Sequence, residues 1–257
     1  MNKKSKYPKI ILFILLSFFS ITVKSQEGTI NYKLTINDKI LNYTREQNLI
    51  VYFHNSSSIE LIKTPKTALI DQDVDDLNQI KVLKTTKPYF VFKDLAKNTL
   101  LLSDYLGSKK RVITDSLNNF KWKLTNQKKR FGNYMCRKAI LSFRGRAYEA
   151  WYTEDIPLRF GPWKFGGLPG LIIKIKDSDS TFVYELTGIN LKDKFNNKLI
   201  TIPQSFANDK VITYKEYRAL YKKMIANNLK LSRVEQVTPD GISGSVNITL
   251  PEKQEKF

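Results

Sequence analysis

One cysteine and one histidine in 257 residues remove most familiar site chemistries at the outset. Cys136 has no partner for an intramolecular disulfide, and a lone thiol is expected to pack as a small hydrophobe. With His54 the single imidazole, no three-histidine zinc site, H-E-x-x-H helix or Cys2His2 finger can be assembled. A triad would have to join His54 to Ser56 or Ser57, and no G-x-S-x-G elbow accompanies them. A phosphate-binding G-x-x-x-x-G-K-[ST] loop is absent as well. Acids are scarce, 24 against 43 lysines and arginines. Their one cluster, Asp71, Asp73, Asp75 and Asp76, opens like a calcium loop. It then fails, because Asp76 stands where the turn needs Gly and Val82 where a bidentate Glu is needed. Neither a metal nor a cofactor is expected.

Long apolar runs are also lacking, with one exception. Lys3, Lys4, Lys6 and Lys9 precede an apolar run from Ile10 to Leu16 that resumes at Phe18 and Phe19. That is shorter than the roughly 20 residues that span a bilayer. A basic stretch followed by a short apolar run is the layout of a secretory signal. Val23 and Ser25 occupy the −3 and −1 positions of a cut before Gln26, and no cysteine stands there to carry a lipid. The expected mature chain, residues 26–257, is one domain without a transmembrane segment. Loss of five lysines lowers its formal charge from +19 to +14. Such a balance suits anionic partners, a membrane surface or an envelope protein among them. Nucleic acid is set aside for an exported chain. The periplasm is favoured over the medium, since no appended C-terminal β-domain is evident.

What is abundant is alternation. Ile30, Tyr32, Leu34 and Ile36 share one face of an extended Thr29–Ile36, with Asn31, Lys33 and Thr35 on the other, the pattern of a half-buried antiparallel strand. Similar runs recur at 49–54, 59–62, 88–93, 99–103, 110–114, 120–124, 138–143, 146–153, 171–176, 181–187 and 245–250. They predict a mainly β chain: a single antiparallel curved sheet, half-barrel or sandwich. One helix is predicted over 213–229. Thr213 and Glu216 form a capping box, and Tyr217, Leu220, Tyr221, Met224 and Ile225 make one apolar stripe. Residues 192–203 read as a long connector and 251–257 as a charged, frayed tail.

The densest local signal lies at 148–172, where an aromatic strand runs into Ile156-Pro157, Gly161-Pro162 and Gly166-Gly167-Leu168-Pro169-Gly170-Leu171-Ile172. Pro169-Gly170 predicts a type II turn with Gly170 at positive φ. These glycines and prolines answer backbone needs first, as a β-corner with Trp151, Trp163 and Phe165 in the core. The same three aromatics are the candidate ligand contacts at the mouth of a concave sheet.

Gly167 to Ile172 resembles the signature of the GLPGLI family of exported proteins from Gram-negative bacteria. Tyr134, Cys136, Lys138-Ala139, Trp151-Tyr152-Thr153, Ile156-Pro157, Gly161-Pro162 and Gly28-x-Ile30-x-Tyr32 extend the resemblance. It implies an exported β-protein without assigned catalytic residues, and the layout is similar to half-barrels that shield lipid. The expected function is non-catalytic binding of a lipidic or apolar ligand or a membrane-associated partner. The alternatives are a carboxylate hydrolase using Glu149, Glu154 or Asp155, and a purely structural module.

Overall fold

The computed structural model of the chain describes residues 26–63, 87–117, 120–231, 236–237, 243–244 and 253–256. The leader expected at 1–25, the acidic cluster at 71–76 and the strand expected at 245–250 lie outside the described residues.

Alternation becomes strands almost where it is read. β1 (Glu27–Asp38), β2 (Tyr43–His54), β3 (Ser57–Ile62), β4 (Phe90–Asp94), β5 (Thr99–Leu106) and β6 (Lys109–Ser116) make the first half. The second half is β7 (Lys123–Phe131), β8 (Tyr134–Phe143), β9 (Arg146–Thr153), β10 (Leu171–Asp177), β11 (Phe182–Asn190) and β12 (Val211–Thr213). They form one open sheet in the order β12-β6-β5-β4-β3-β2-β1-β11-β10-β9-β8-β7. All neighbours are antiparallel except β12 and β6. β13 (Gln236–Val237) and β14 (Ser243–Gly244) make a separate ribbon.

The sheet is curved. β6 and β8 stand nine places apart in that order, so a flat sheet would separate them by about 40 Å at the usual strand spacing. Yet Arg144, in the β8–β9 turn, reaches Asp115 of β6 at 2.7 Å. Curling brings the inner faces of distant strands together. There Ile30, Tyr32, Leu49, Val51, Phe53, Leu100, Ala150, Tyr152, Ile175 and Tyr184 share one core.

The outer face carries a smaller cluster. Ile59, Phe90 and Val112 are covered there by Ile200 and Phe206 from the connector after β11. Helix α1 (Tyr214–Leu231) closes the first half of the inner face. Its capping box forms as expected: the Glu216 carboxylate accepts from the Thr213 N–H at 2.7 Å, and the Glu216 N–H donates to the Thr213 hydroxyl. Tyr217 and Tyr221 face the core while Leu220 is exposed, so the stripe is narrower than the sequence suggests.

Two local expectations are corrected. Gly170 is not among the residues of positive φ, whereas Gly167 (82°) and Trp163 (49°) are. Glycine is needed at 170 for space, since a Cβ there would lie 2.0 Å from the Thr153 carbonyl oxygen. The tail is not frayed over 253–256 either, because Glu255 is buried against the inner face.

Candidate functional site

Between the inner face of β1, β2 and β5 and helix α1 lies a cavity of about 620 Å³. Leu34, Leu49, Leu102 and Phe182 give it an apolar floor, and Tyr89, Trp163 and Tyr221 supply ring faces. Arg45, Gln47, Asp104, Asn228 and Lys253 supply hydrogen-bonding groups. The Asp104 carboxylate accepts from the Tyr217 hydroxyl at 2.7 Å and from Lys253 Nζ at 2.8 Å.

Trp163 owes its place to two buried charged residues that grip the backbone around it. β3 and β4 each put one charged residue in their buried phase, Glu60 and Lys93, both about 2% exposed. Glu60 accepts from the Trp163 backbone N–H at 2.7 Å and the Tyr89 hydroxyl at 2.8 Å. Lys93 Nζ donates to the Gly161 and Phe165 carbonyls, each at 2.7 Å. The pair therefore fastens both ends of the turn 161–165 and holds Trp163 in the left-handed region, which costs a non-glycine residue about 1–2 kcal/mol. Burial pushes the Glu60 carboxyl up, and the Lys93 charge, the Trp163 N–H and the Tyr89 hydroxyl pull it only part of the way back. Burial likewise brings the Lys93 ammonium down to about 8, against the attraction of Glu60.

An ionic cluster, Asp115, Arg144, Lys164 and Glu255, lies next to a smaller pocket that shares Trp163, Lys253 and Gln254 with the cavity. Lys164 Nζ lies 3.0 Å from Asp115 and 2.7 Å from Glu255, and Arg144 reaches the same two carboxylates. Burial alone would raise the Asp115 carboxyl, but hydrogen bonds from Arg144 and the charge of Lys164 outweigh it and hold it low. Among the described residues no group of histidine, cysteine and acidic side chains could hold a metal.

The family described as "N-glycanase peptide, N-terminal domain" matches residues 30–216. The chain belongs to that family. Two solved structures share the fold: PNGF-II in its C2 crystal form, with a TM-score of 0.51, and in its P21 form, with 0.53. Each is 17% identical and covers 77% of this chain, while the chain spans 33% and 34% of theirs, about a third of their length. No curated protein matches the chain in sequence. The N-glycanase family replaces the GLPGLI assignment, and with it falls the reading of a lipid-binding envelope protein that rested on it. The Gly/Pro pattern that prompted the resemblance records backbone demands of the 161–172 bend, which carry no ligand information.

In this N-glycanase-type domain the predicted aromatics part company. Trp163 lines the cavity. Phe165 is fully buried beneath it, 5.0 Å from the Trp163 ring and 4.8 Å from Tyr148. Trp151 falls in the opposite phase of β9 and donates to Glu149 at 3.0 Å. Pro162 and Phe165 close the turn through a 3.0 Å hydrogen bond. Gly161 packs against Ile172, Gly166 accepts from the Trp122 indole at 2.9 Å, and Tyr32 donates to Ile172. Leu168 and Leu171 are core residues, with Pro169 between them at the surface.

The three candidate carboxylates do not converge. Glu149 is held by Lys138 at 2.6 Å in mid-strand. Glu154 pairs with Arg137 and, with Asp155, lines a separate pocket of about 160 Å³. His54 meets Glu27 at 3.3 Å across the β1–β2 strand ends. Glu60, Lys93, Asp104 and Lys164 were missed. For Lys93 the signal was present, a charge in the same phase as Tyr89 and Val91, whereas Glu60 alternates with Ile59 and Leu61 and reads as an outward charge.

Proposed function

We propose that this chain works on N-glycosylated substrates and that the cavity beneath α1 takes the carbohydrate. The family match over residues 30–216 carries the reading. The cavity suits it physically, because a sugar presents apolar ring faces and equatorial hydroxyls together. Tyr89, Trp163 and Tyr221 meet the first need, while Arg45, Gln47, Asp104 and Asn228 meet the second. Export through the leader at 1–25 is part of the proposal, since it would bring the chain to extracytoplasmic glycoproteins.

A second reading, hydrolysis by the chain itself, is favoured by one observation. Glu60, with its raised carboxyl, stands directly behind the cavity wall formed by Tyr89 and Trp163. The test for both is titration of the purified chain with a defined N-glycopeptide by calorimetry, followed by mass spectrometry of the mixture. Saturable binding, weakened by Arg45→Ala on the cavity rim, is the expected result. A mass change to free glycan and peptide, lost in Glu60→Gln, would establish the second reading. Neither binding nor cleavage would overturn both.

A further inference from the structure

The segment Lys253–Lys256 crosses the inner face without joining the sheet. Arg146 Nε donates to the Lys253 carbonyl at 2.8 Å, and the Tyr148 hydroxyl donates to the Gln254 carbonyl at 2.5 Å. The Lys256 N–H donates to the Arg144 carbonyl at 2.9 Å. The sheet thus offers donors to a peptide's carbonyls and an acceptor to its N–H. Between them sits a seat for one carboxylate, in which Glu255 accepts from Arg144 at 2.6 Å and from Lys164 at 2.7 Å. Asp115 holds both cations from the other side. Lys164 is 2% exposed, so the seat is a buried feature built from β9, the β8–β9 turn and the bend.

The occupant is of a different kind. Lys-Gln-Glu-Lys brings no apolar side chain, so what holds it is polar and replaceable by a like ligand. Removing Glu255 would leave Arg144 and Lys164 facing Asp115 alone, with one positive charge to spare.

We infer that the seat formed by Arg144, Arg146, Tyr148 and Lys164 is a binding site for an extended peptide that carries a carboxylate at the position of Glu255, and that residues 253–256 fill it in cis as an autoinhibitory strap. Lys253 and Gln254 also form part of the cavity wall, so an incoming peptide that lifts the strap widens the cavity. This coupling rests on the cavity being the glycan site; the peptide seat does not.

The test uses the chain shortened after Glu252 and a fluorescein-labelled peptide of residues 251–257, Pro-Glu-Lys-Gln-Glu-Lys-Phe. Fluorescence anisotropy should show the peptide binding the shortened chain and not the full one. The peptide carrying Glu255→Gln should bind at least about tenfold more weakly, because it loses two charge-assisted bonds. A shortened chain that still melts cooperatively and ignores the peptide, or binds both peptides equally, overturns the inference.

If the shortened chain fails to fold, Glu255→Gln in the full chain takes its place. Hydrogen exchange at the Lys256 amide should then quicken at least about tenfold with β1 amides unchanged, and an unaltered Lys256 rate overturns the inference. Peptide binding without any glycopeptide binding would keep the seat and sink the cavity's proposed role.

Discussion

Two segments cross the inner face of the same curved sheet, the bend 156–172 and the strap 253–256. The bend is held by rings and by backbone. Phe165 and Trp163 pack on Phe143, Tyr148 and Tyr184, and the buried Glu60–Lys93 pair grips the peptide groups on either side. The strap is held by side chains reaching its carbonyls and by one carboxylate in a cationic seat. Apolar burial has no substitute in water, whereas a carboxylate can be exchanged for another carboxylate. The bend is therefore a fixed part of the cavity wall and the strap a removable one. The charged residues beneath the bend differ in role from the cluster beneath the strap: Glu60 and Lys93 hold peptide groups, whereas Asp115, Arg144, Lys164 and Glu255 hold one another.

The largest effect should come from breaking the grip on the bend. Lys93→Ala orphans the two buried carbonyls of Gly161 and Phe165 and removes the charge that offsets Glu60; at about 1–3 kcal/mol for each orphaned group it predicts a loss of about 2–6 kcal/mol in urea unfolding. A loss below about 1 kcal/mol would mean that the bend stands on its rings alone. Gly170→Val comes next. Its Cβ would have to displace the Thr153 carbonyl, and overpacking of this kind costs about 1–3 kcal/mol or more. Gly170→Ala should already show most of it, because the obstacle is the first carbon and positive φ plays no part. A neutral Gly170→Ala would refute the steric account.

Acid should separate the two segments. The Asp115 carboxyl is held below its ordinary value in the folded chain, so as pH falls the unfolded chain takes the proton first. Its stabilisation is full above about pH 4 and is lost as pH falls through the folded value. Glu60 has the opposite sign. Its folded carboxyl is raised, so the folded chain takes the proton first and its contribution declines as pH rises towards that value. Acidification should thus loosen the seat under the strap while favouring the clamp under the bend. Hydrogen exchange, corrected for intrinsic rates, should quicken at Lys256 and not at Phe165 as pH is taken from about 5 to well below 4. Asp115→Asn should abolish the difference, and parallel quickening at both amides would show that the two clusters act as one.

Much of this architecture is legible in the chain, because period two and the Thr213–Glu216 box are local signals. The curl of the sheet is not, since it depends on Arg144 meeting Asp115 across nine strand positions. Lys93 was visible as a charge in phase with Tyr89 and Val91, but Glu60 reads as an outward charge, and nothing local says that their partners are peptide groups 68 to 103 residues away. Lys253 to Lys256 reads as a solvated tail because its composition is that of one. Only the seat on β8, β9 and the bend makes it otherwise. At Gly170 the sequence points to the correct residue for the wrong reason. A turn and a close approach both demand glycine, and only coordinates tell them apart.

The smallest effect expected is none at all, and it tests the comparison most directly. Cys136 is fully buried in the same core as Phe165 and Trp163. Burial, with a further push from Asp155, raises its thiol to about 11. At pH 8 only about one thiol in a thousand would be ionised, and that one is out of reach. Labelling must then wait for the core around the bend to open, and its rate reports that opening. Shortening the chain after Glu252 should leave the labelling rate by a thiol reagent unchanged, because the strap is held at the end of β8 and β9 opposite Cys136. Lys93→Ala should raise it, because the bend loses its grip. If removing the strap speeds Cys136 as much as Lys93→Ala does, the two segments share one cooperative unit and the strap is no separate device.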